Sequence, residues 1–520
     1  MIDDSNALYK ALSARDARFD GVFFVGVTST GIYCRPICPA RTPLRKHCVF
    51  FTSAHAAEHS RFRPCLRCRP ELAPGNAPID ASQRIAQLIM QRLEEGDLAG
   101  GEGLNDGEEG GLEAIAARFQ LSSRQIRRII QKELGVPPIQ LIQTRRLLLA
   151  KQLLTETSLP VTQIAFASGF ASLRRFNDAF SSRYGLAPSN LRKKALTGDP
   201  SAANDAETSI LKLAYRPPYD WDGVLAFLAT RGLAGVEWVT DDFYARTVEL
   251  NGHRGWIKVT QARRKHILLI EFSHGLARVL PALLSRVRDL FDLSARPDII
   301  SRQLRKDRQL APLVKRNPGM RVPGAFSGFE LGIRAILGQQ VTVKAATTLA
   351  TRFVTAFGEP IVTPHAELHR LSPTPARISA ATVDDIAKLG IVSARSRCLI
   401  ALAQAQVSGE LAMEHGVHPD PAAAIERLVQ LPGIGPWTAH YIAMRALRWP
   451  DAFPKEDIVV RNILGGVSAQ VAEQMSLAWR PWRSYAVLHL WKNSPSPAKA
   501  RSRRLNAASP ESAASPGNRS

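Results

Sequence analysis

Cysteine is scarce in this sequence, and six cysteines among 520 residues cannot form the disulfide framework of a small secreted protein. Five of the six lie between positions 34 and 68, which suits a metal site in a reducing compartment. No run approaches the roughly 18 apolar residues of a membrane span. The first residues, MIDDSNALYKALSARD, lack the basic and apolar segments of a secretory signal. We therefore expect a cytoplasmic protein with no membrane partner.

Acidic residues are few relative to basic ones. Lys and Arg number 68 against 46 Asp and Glu, which gives a formal net charge of +22. Such an excess favours a polyanionic partner, because each cation placed near a phosphate releases condensed counterions. Composition thus favours nucleic acid, although ribosomal and membrane-surface proteins share this charge balance.

Hydrophilic stretches rich in glycine, proline and small residues divide the chain. One of them, residues 94–111, has seven acidic residues, seven glycines and no Lys or Arg, and indicates a flexible insertion. The pattern predicts a cysteine-containing domain at 1–76, a helical domain at 77–195, a linker at 196–209, an α+β domain at 210–322, a mostly helical domain at 323–492 and a disordered tail at 493–520.

Two close cysteine pairs stand in the first domain. Cys34-x3-Cys38 and Cys65-x2-Cys68 are separated by 26 residues, and each pair can supply two corners of a tetrahedral zinc site. On spacing alone the zinc is purely structural, and Cys48 can compete as a ligand. Four thiolates on one divalent cation carry a net charge of −2, so one sulfur can also act as a nucleophile. Arginines nearby, among them Arg35, are expected to lower thiolate pKa values and to attract phosphate.

The sequence around these cysteines is specific. TSTGIYCRPICPARTPLRKHCVFF followed by FRPCLRCRPE resembles the amino-terminal domain of the Ada adaptive-response proteins. The resemblance implies that Cys34, Cys38, Cys65 and Cys68 bind one zinc ion. It also implies that Cys34 accepts a methyl group from a DNA methylphosphotriester. Methylation takes the centre from −2 to −1, so DNA binding tightens and transcription is activated, with RNA polymerase as a further partner.

Two helix-turn-helix patterns follow the cysteines. LEAIAARFQLSSRQIRRIIQKELG places Arg124, Arg127 and Arg128 on the outer face of its second helix. VTQIAFASGFASLRRFNDAFSSRYGLAPSNLR has Gly169 at its turn, with Arg174 and Arg175 on its second helix. Such helices read base edges in the major groove, whereas a plain helical bundle would merely expose its basic face. The tandem units, joined by one long helix over about 138–155, resemble the AraC-type DNA-binding domain.

The strongest catalytic motif is Leu431-Pro-Gly-Ile-Gly-Pro-Trp437. Gly433 and Gly435 permit a tight hairpin between two helices whose backbone N–H groups can approach a DNA phosphate. A simple helix connection would look the same locally. Asp457 stands 22 residues beyond Gly435, and taken alone it could be a helix cap.

Hairpin, spacing and aspartate together resemble the helix-hairpin-helix base-excision glycosylases. Similarity to the AlkA-type 3-methyladenine DNA glycosylases runs over residues 211–492, from YRPPYDWDGVLAFLATRGLAGVE to RPWRSYAVLHLW. It implies base flipping and hydrolysis of the N-glycosidic bond of an alkylated purine, with the Asp457 carboxylate stabilising an oxocarbenium-like sugar. Trp437 stands where bifunctional relatives carry a lysine, so the resemblance implies a monofunctional enzyme.

The resemblance also assigns binding residues. Trp437, Tyr441 and Trp491 match aromatic residues of the base pocket, although core packing is the usual role of such residues on helices. The backbone carbonyls of Val429, Leu431 and Ile434 match those that bind a monovalent cation. Gln340, in GQQVTV, departs from the family, which places a leucine there to fill the gap left by the flipped nucleotide.

The sequence thus predicts a multidomain, mainly α protein with α+β units: a four-cysteine zinc domain, an AraC-type double helix-turn-helix, an AlkA-type α+β amino-terminal domain and an all-α helix-hairpin-helix glycosylase domain. We expect a monomer that binds alkylated and promoter double-stranded DNA at the bacterial nucleoid. The Pro-Cys-His-Arg motif of the Ada alkyltransferase domain is absent, so O6-methylguanine repair is not predicted. Two alternatives are a methylation-sensing regulator whose glycosylase half only binds DNA, and a glycosylase whose zinc module only adds DNA affinity.

Overall fold

A computed structural model describes residues 5–74, 122–196, 207–411, 413 and 420–493. We name four units by their residues: the cysteine domain (5–74), the helix-turn-helix domain (122–196), the sheet domain (207–321) and the hairpin domain (322–493). The predicted helix that opens the first helix-turn-helix pattern, the acidic insertion at 94–111 and most of the tail lie outside the described residues. The predicted fold class is confirmed, since the described residues are mainly helical and form two sheets.

The cysteine domain is built on a four-stranded sheet of order β3-β1-β2-β4. Strand β1 pairs antiparallel with β2 and β3, whereas β2 and β4 run parallel. Its elements are α1 (Ser5–Ser13), β1 (Phe24–Val27), β2 (Ile32–Cys34), β3 (Cys48–Phe51), α2 (Ala54–His59) and β4 (Arg63–Pro64), with 3-10 turns at Ala17–Phe19, Arg45–His47 and Pro70–Leu72.

In the helix-turn-helix domain, one long helix follows a single shorter helix and precedes three others among the described residues. Ser122 and Gln125 form a reciprocal capping box at its first helix, which ends at Gly135 with a φ of 76°. The predicted connecting helix is present as α4. The elements are α3 (Ser123–Leu134), α4 (Pro138–Glu156), α5 (Val161–Ala167), α6 (Leu173–Tyr184) and α7 (Pro188–Leu196).

The sheet domain is an antiparallel sheet of order β5-β9-β8-β7-β6. Buried and exposed residues alternate along β5 and β9, as expected for strands with one face in a core. Its elements are β5 (Thr208–Ala214), α8 (Trp221–Ala229), β6 (Glu237–Val239), β7 (Phe243–Leu250), β8 (His253–Ala262), β9 (Ile267–Ser273), α9 (Leu280–Leu290), α10 (Pro297–Leu304) and α11 (Leu310–Arg316), with 3-10 turns at Arg263–Lys265 and His274–Val279.

The described part of the hairpin domain is mainly helical, with one longer non-helical segment between Phe357 and Pro375. Its core holds the fully buried rings of Trp479 and Trp482. The elements are α12 (Gly328–Leu337), α13 (Val343–Phe357), α14 (Pro375–Ser379), α15 (Val383–Ala387), α16 (Ser393–Val407), α17 (Pro421–Gln430), α18 (Pro436–Arg445), α19 (Ile458–Ile463), α20 (Ala469–Ser476) and α21 (Arg483–Lys492), with a 3-10 turn at Leu477–Trp479.

Arg216 of the sheet domain joins that domain to the cysteine domain. Its buried guanidinium donates to the backbone carbonyls of Asp20 (2.8 Å) and Pro74 (3.1 Å), and also to that of Ser294 (3.0 Å). The helix-turn-helix and sheet domains share one hydrophobic core. Among the helices described, none is both long and apolar enough to cross a membrane.

Candidate functional sites

Strand pairing assembles the four cysteines. Strand β2 ends at Cys34, and its parallel pairing of Tyr33 with Pro64 places Cys65, the residue after β4, beside Cys34. The Cys65 amide donates to the Tyr33 carbonyl (3.0 Å), and the Cys38 amide closes a turn on Arg35 (3.1 Å). Two segments distant in the sequence thus converge because a short parallel pair brings their ends together.

The sulfur atoms of Cys34, Cys38, Cys65 and Cys68 all lie within 4.8 Å of one another. Tetrahedral zinc with bonds of about 2.3 Å would separate its sulfurs by about 3.8 Å, so the cluster fits that ion with little adjustment. Backbone amides donate to Cys68 Sγ (3.3 Å) and Cys65 Sγ (3.4 Å). None of the described backbone amides donates to Cys34 Sγ with comparable geometry. Compared with Cys65 and Cys68, Cys34 therefore keeps the more available sulfur lone pairs.

Cys48 and Arg35 differ from expectation. The Cys48 thiol lies outside the cluster, donates to the Leu44 carbonyl (3.4 Å), and has its pKa raised by burial. Arg35 does not face phosphate: its buried guanidinium pairs with Asp20 (2.8 Å from Nε) and donates to the Cys68 carbonyl (3.0 Å). Asp20 neutralises the charge of Arg35, which therefore supports the cysteine loops instead of attracting phosphate.

The hairpin between α17 and α18 has two glycines with different surroundings. Gly433 has a φ of 85°, and a Cβ there would lie 3.1 Å from Cys398 Cβ. Gly435 precedes α18 and has no atom within 4 Å of its Cβ position, so a ligand can approach its backbone. Of the proposed cation-binding carbonyls at Val429, Leu431 and Ile434, that of Leu431 also accepts the Ile434 amide (3.1 Å).

Asp457 lies where α19 begins and is 6% exposed. Its Oδ1 accepts the Val460 amide at 2.8 Å and so caps the helix. Its Oδ2 accepts the indole N–H of Trp437, also at 2.8 Å. The helix-cap interpretation and the catalytic one are therefore compatible, because each oxygen has its own partner.

A row of aromatic rings begins beside Asp457 with Trp437 and Tyr441 on α18 and continues to Trp491 on α21. The rings of Trp437 and Tyr441 stack at 5.2 Å with an angle of 9°, and Trp491 lies 6.3 Å beyond Tyr441. The Arg445 guanidinium donates to the Tyr441 hydroxyl at 2.6 Å. Burial alone would raise the pKa of Tyr441, but the nearby charges of Arg445 and Arg231 outweigh it and lower that pKa. The three predicted pocket aromatics thus form one continuous wall beside the carboxylate.

Gln340 follows Gln339, which contacts the hairpin. It is exposed in the loop between α12 and α13, and its φ of 53° turns the backbone outward. Its neighbour Gln339 donates to the Gly433 carbonyl (2.9 Å) and to Thr438 Oγ1 (3.2 Å), and Arg395 donates to the Gln339 carbonyl. Gln339 and Arg395 therefore fix the loop to the hairpin, a role that no sequence motif revealed.

The predicted recognition helices expose their arginines. Arg124, Arg127 and Arg128 are exposed on α3, opposite buried Ile126 and Ile130. On α6, Arg174 and Arg175 are exposed, and Arg174 pairs weakly with Asp178 at 4.0 Å. Both helices thus present a basic surface of the kind that contacts DNA phosphates and base edges.

Family models match each unit in turn. They are the metal binding domain of Ada (residues 7–71), a helix-turn-helix domain (115–194), the AlkA N-terminal domain (210–327) and the HhH-GPD superfamily of base excision DNA repair proteins (333–476). Fold and sites thus define a DNA-binding base excision repair protein that carries a zinc-binding, regulatory amino-terminal half. DNA is its partner, and its four clustered cysteines hold one zinc ion.

A relative that matches nearly the whole chain identifies the family. The chain is 36% identical to the probable bifunctional transcriptional activator/DNA repair enzyme AlkA of Mycobacterium tuberculosis, over 94% of this chain and 97% of that one, and it belongs to that family. It is also 36% identical to DNA-3-methyladenine glycosylase 2 of Escherichia coli over 54% of this chain and 95% of that one. Similarity to the Escherichia coli bifunctional transcriptional activator/DNA repair enzyme Ada is 32% over 25% of this chain and 33% of that one.

Proposed function

We propose that this protein performs two reactions on alkylated DNA. The hairpin domain hydrolyses the N-glycosidic bond of alkylated purines of the 3-methyladenine type. The cysteine domain transfers a methyl group irreversibly from a DNA methylphosphotriester to Cys34, and the methylated protein activates transcription. The observation that carries the first activity is the Asp457 carboxylate held at 2.8 Å by the indole N–H of a pocket aromatic.

Base release requires a site that binds a cationic base and stabilises the positive charge that develops on the sugar. A cationic alkylated purine stacks against the Trp437 and Tyr441 wall, where aromatic faces attract positive charge. As the glycosidic bond breaks, positive charge develops on the sugar, and the buried Asp457 carboxylate stabilises it electrostatically. Gln340 fills the gap in the duplex, while the open backbone at Gly435 receives a phosphate. Trp437 cannot form a Schiff base, so the product is an abasic site.

Methyl transfer uses the Cys34 sulfur of the cluster. Zinc, when bound, keeps the four thiolates deprotonated and electron-rich. Cys34 Sγ, which receives no backbone amide donor among the described residues, attacks the methyl carbon. Loss of one negative charge at the centre reduces repulsion from phosphate, and the arginines of α3 and α6 then hold promoter DNA more tightly. The activator works as a monomer that contacts RNA polymerase at the nucleoid.

One labelling experiment tests both reactions. Zinc-loaded protein is incubated with DNA that carries radiolabelled methyl groups, and free bases, protein and polymer are then separated. We expect label in free purines and on the protein, with peptide mapping placing it on Cys34. The Cys48→Ala variant is the matched control, because this buried thiol lies outside the cluster and its loss should leave protein labelling unchanged. Label in free bases alone would reduce the cysteine domain to a DNA-affinity module, and label on protein alone would contradict the role of Asp457.

A further inference from the structure

A lysine of the helix-turn-helix domain lies against the metal centre of the cysteine domain. Lys151 is on α4, the helix that joins the two helix-turn-helix units, and it is only 1% exposed. Its Nζ donates to the backbone carbonyl of Cys65 (3.1 Å) and to Glu71 Oε2 (2.8 Å). Lysine is almost never buried to this extent unless it is paired, so these two contacts account for its position.

Cys65 is held by hydrogen bonds on its amide, its sulfur and its carbonyl. The amide donates to the Tyr33 carbonyl (3.0 Å), and Sγ accepts the Arg67 amide (3.4 Å). Both of these partners belong to the cysteine domain. The carbonyl accepts from Lys151, so a contact that comes from another domain ends on a residue of the metal centre.

Helix α4 gives Lys151 a fixed position. The last residue of this helix, Glu156, accepts a hydrogen bond from Arg69 Nη1 (2.6 Å) and another from the backbone amide of Lys212 on β5 (3.1 Å). The end of α4 is thus attached both to the cysteine domain and to the sheet domain. These attachments hold the ammonium group of Lys151 at a defined place beside the cysteine loop.

The charge of Lys151 is compensated at this junction. Burial alone would raise the pKa of Glu71, but the charges of Lys151 and Arg69 outweigh burial and lower that pKa, so the carboxylate is ionised. Such an ion pair could serve only to fix how the two domains dock. The hydrogen bond to Cys65 adds a second effect, because hydrogen bonds around a metal ligand orient it and typically change metal affinity by roughly tenfold to a hundredfold.

We propose that Lys151 is a positioning residue of the zinc site and that the helix-turn-helix domain supplies it. Its contact with Cys65 fixes the loop that carries Cys65 and Cys68, so zinc is bound more tightly when α4 is docked. Thermodynamic linkage makes the effect reciprocal: bound zinc stabilises, by the same factor, the docked position of the helix that joins the two helix-turn-helix units. This role needs the zinc site alone and does not depend on the methyl transfer proposed above.

The Lys151→Met variant removes the ammonium group and keeps a flexible, unbranched side chain. Competition between the full-length protein and a chromophoric chelator measures the dissociation constant for zinc, which we expect to rise roughly tenfold to a hundredfold. Hydrogen–deuterium exchange of residues 138–156, with and without zinc, gives a second readout. The protection that zinc confers on this helix should shrink by the same factor in the variant. Lys132→Met, at an exposed lysine of α3, is the matched control and should change neither measurement.

A second pair of variants separates this role from simple docking. Lys151→Met leaves the buried Glu71 carboxylate with less compensation, which by itself destabilises the junction. The double variant Glu71→Gln, Lys151→Met is therefore compared with Glu71→Gln alone, since neither contains that carboxylate. Zinc affinity about tenfold or more below that of Glu71→Gln would support the proposal. Equal zinc affinity in these two proteins would overturn it, because Lys151 would then act only as the partner of Glu71. Wild-type zinc affinity in Lys151→Met would overturn it as well.

Discussion

The two carboxylate oxygens of Asp457 have separate tasks, one in folding and one in chemistry. Oδ1 caps α19 and Oδ2 faces the Trp437 indole. Asn at this position can still cap the helix through its amide oxygen but carries no charge. In Asp457→Asn we therefore expect the fold to persist and base release to fall at least about a hundredfold to a thousandfold. Single-turnover release of labelled purine measures the loss, circular dichroism checks the fold, and methyl transfer to Cys34 should continue at the wild-type rate.

Trp437 contributes both a ring face and an N–H donor, and these can be separated. Trp437→Phe keeps an aromatic face against Tyr441 but removes the hydrogen bond to Asp457. Since a hydrogen bond to a charged group contributes about 1.5–3 kcal/mol, we expect base release to slow roughly tenfold to a hundredfold. The change should appear in the rate at saturating DNA, with KM nearly constant.

The control for this substitution is Trp491→Phe, because Trp491 lies at the far end of the wall and the indole bonded to Asp457 is that of Trp437. It should weaken binding of the base rather than the rate. If Trp437→Phe released bases as fast as the wild type, Asp457 would not depend on the indole for its position.

Single residues with a local signature could be predicted, whereas their partners could not. The four cysteines stand out because metal ligands need close pairs along the chain. The bond between Trp437 and Asp457 joins residues from two helices, and the position of Arg35 against Asp20 depends on the packing of the cysteine loops. No spacing in a sequence encodes such contacts. For that reason the prediction that Arg35 attracts phosphate is wrong.

The hairpin between α17 and α18 offers a matched pair of glycine substitutions. At Gly433 the φ of 85° and a Cβ contact of 3.1 Å with Cys398 both oppose alanine. We expect Gly433→Ala to lower the free energy of unfolding by roughly 1–3 kcal/mol and to impair base release. Gly435 has a φ of −85° and open space around it, so Gly435→Ala should leave stability nearly unchanged.

DNA affinity tests whether the exposed backbone at Gly435 binds a phosphate. If a phosphate contacts the backbone at Gly435, the added methyl group should weaken binding and flatten the dependence of affinity on salt. Chemical denaturation and binding titrations at several salt concentrations provide both measurements. Normal DNA affinity in Gly435→Ala would place the phosphate elsewhere on the hairpin.

Secondary-structure elements were predictable where a single periodic residue pattern determines the backbone conformation. The connecting helix, expected over about 138–155, runs from Pro138 to Glu156. The segment His274–Val279, by contrast, forms a 3-10 helix directly before α9, which begins at Leu280. Leu276, Ala277 and Val279 are buried there, so tertiary packing decided a backbone form that periodicity could not resolve.

Acid sensitivity of the folded chain is expected from its buried histidines. His489 is 2% exposed, and burial lowers its pKa to about 4, with Lys492 adding to the effect. The unfolded chain takes up this proton near pH 6.5 and the folded chain only near pH 4. His489 therefore supports the fold fully above pH 6.5, and that support is lost as the pH falls toward 4.

The expected loss between pH 7 and pH 5 is about 2 kcal/mol from this residue alone. His489→Gln, which cannot titrate, should lose less stability over the same interval. All eight tryptophans lie at position 221 or later, so tryptophan fluorescence follows the sheet and hairpin domains selectively. An identical pH dependence in both proteins would show that His489 is not the group responsible.

Zinc removal should reach beyond the cysteine domain through Arg216. Without the ion the four clustered thiols lose their common ligand, and we expect residues 5–74 to unfold. The Arg216 guanidinium then loses its acceptors at Asp20 and Pro74. Each lost bond costs about 1–3 kcal/mol, less whatever water recovers. The tryptophan-monitored melting temperature should therefore fall by roughly 2–10 °C, while base release persists because Asp457 keeps its partners.

The Arg216→Gln variant tests whether that contact carries the effect. Its melting temperature will already be lower, and a chelator should lower it little further, since the two perturbations remove the same interaction. Tryptophan fluorescence again restricts the measurement to the glycosylase half. If the chelator lowered the melting temperature of both proteins equally, another contact would couple the stability of the domains. If it abolished base release, the zinc site would be needed for the glycosylase fold itself, and the two halves would behave as one cooperative unit.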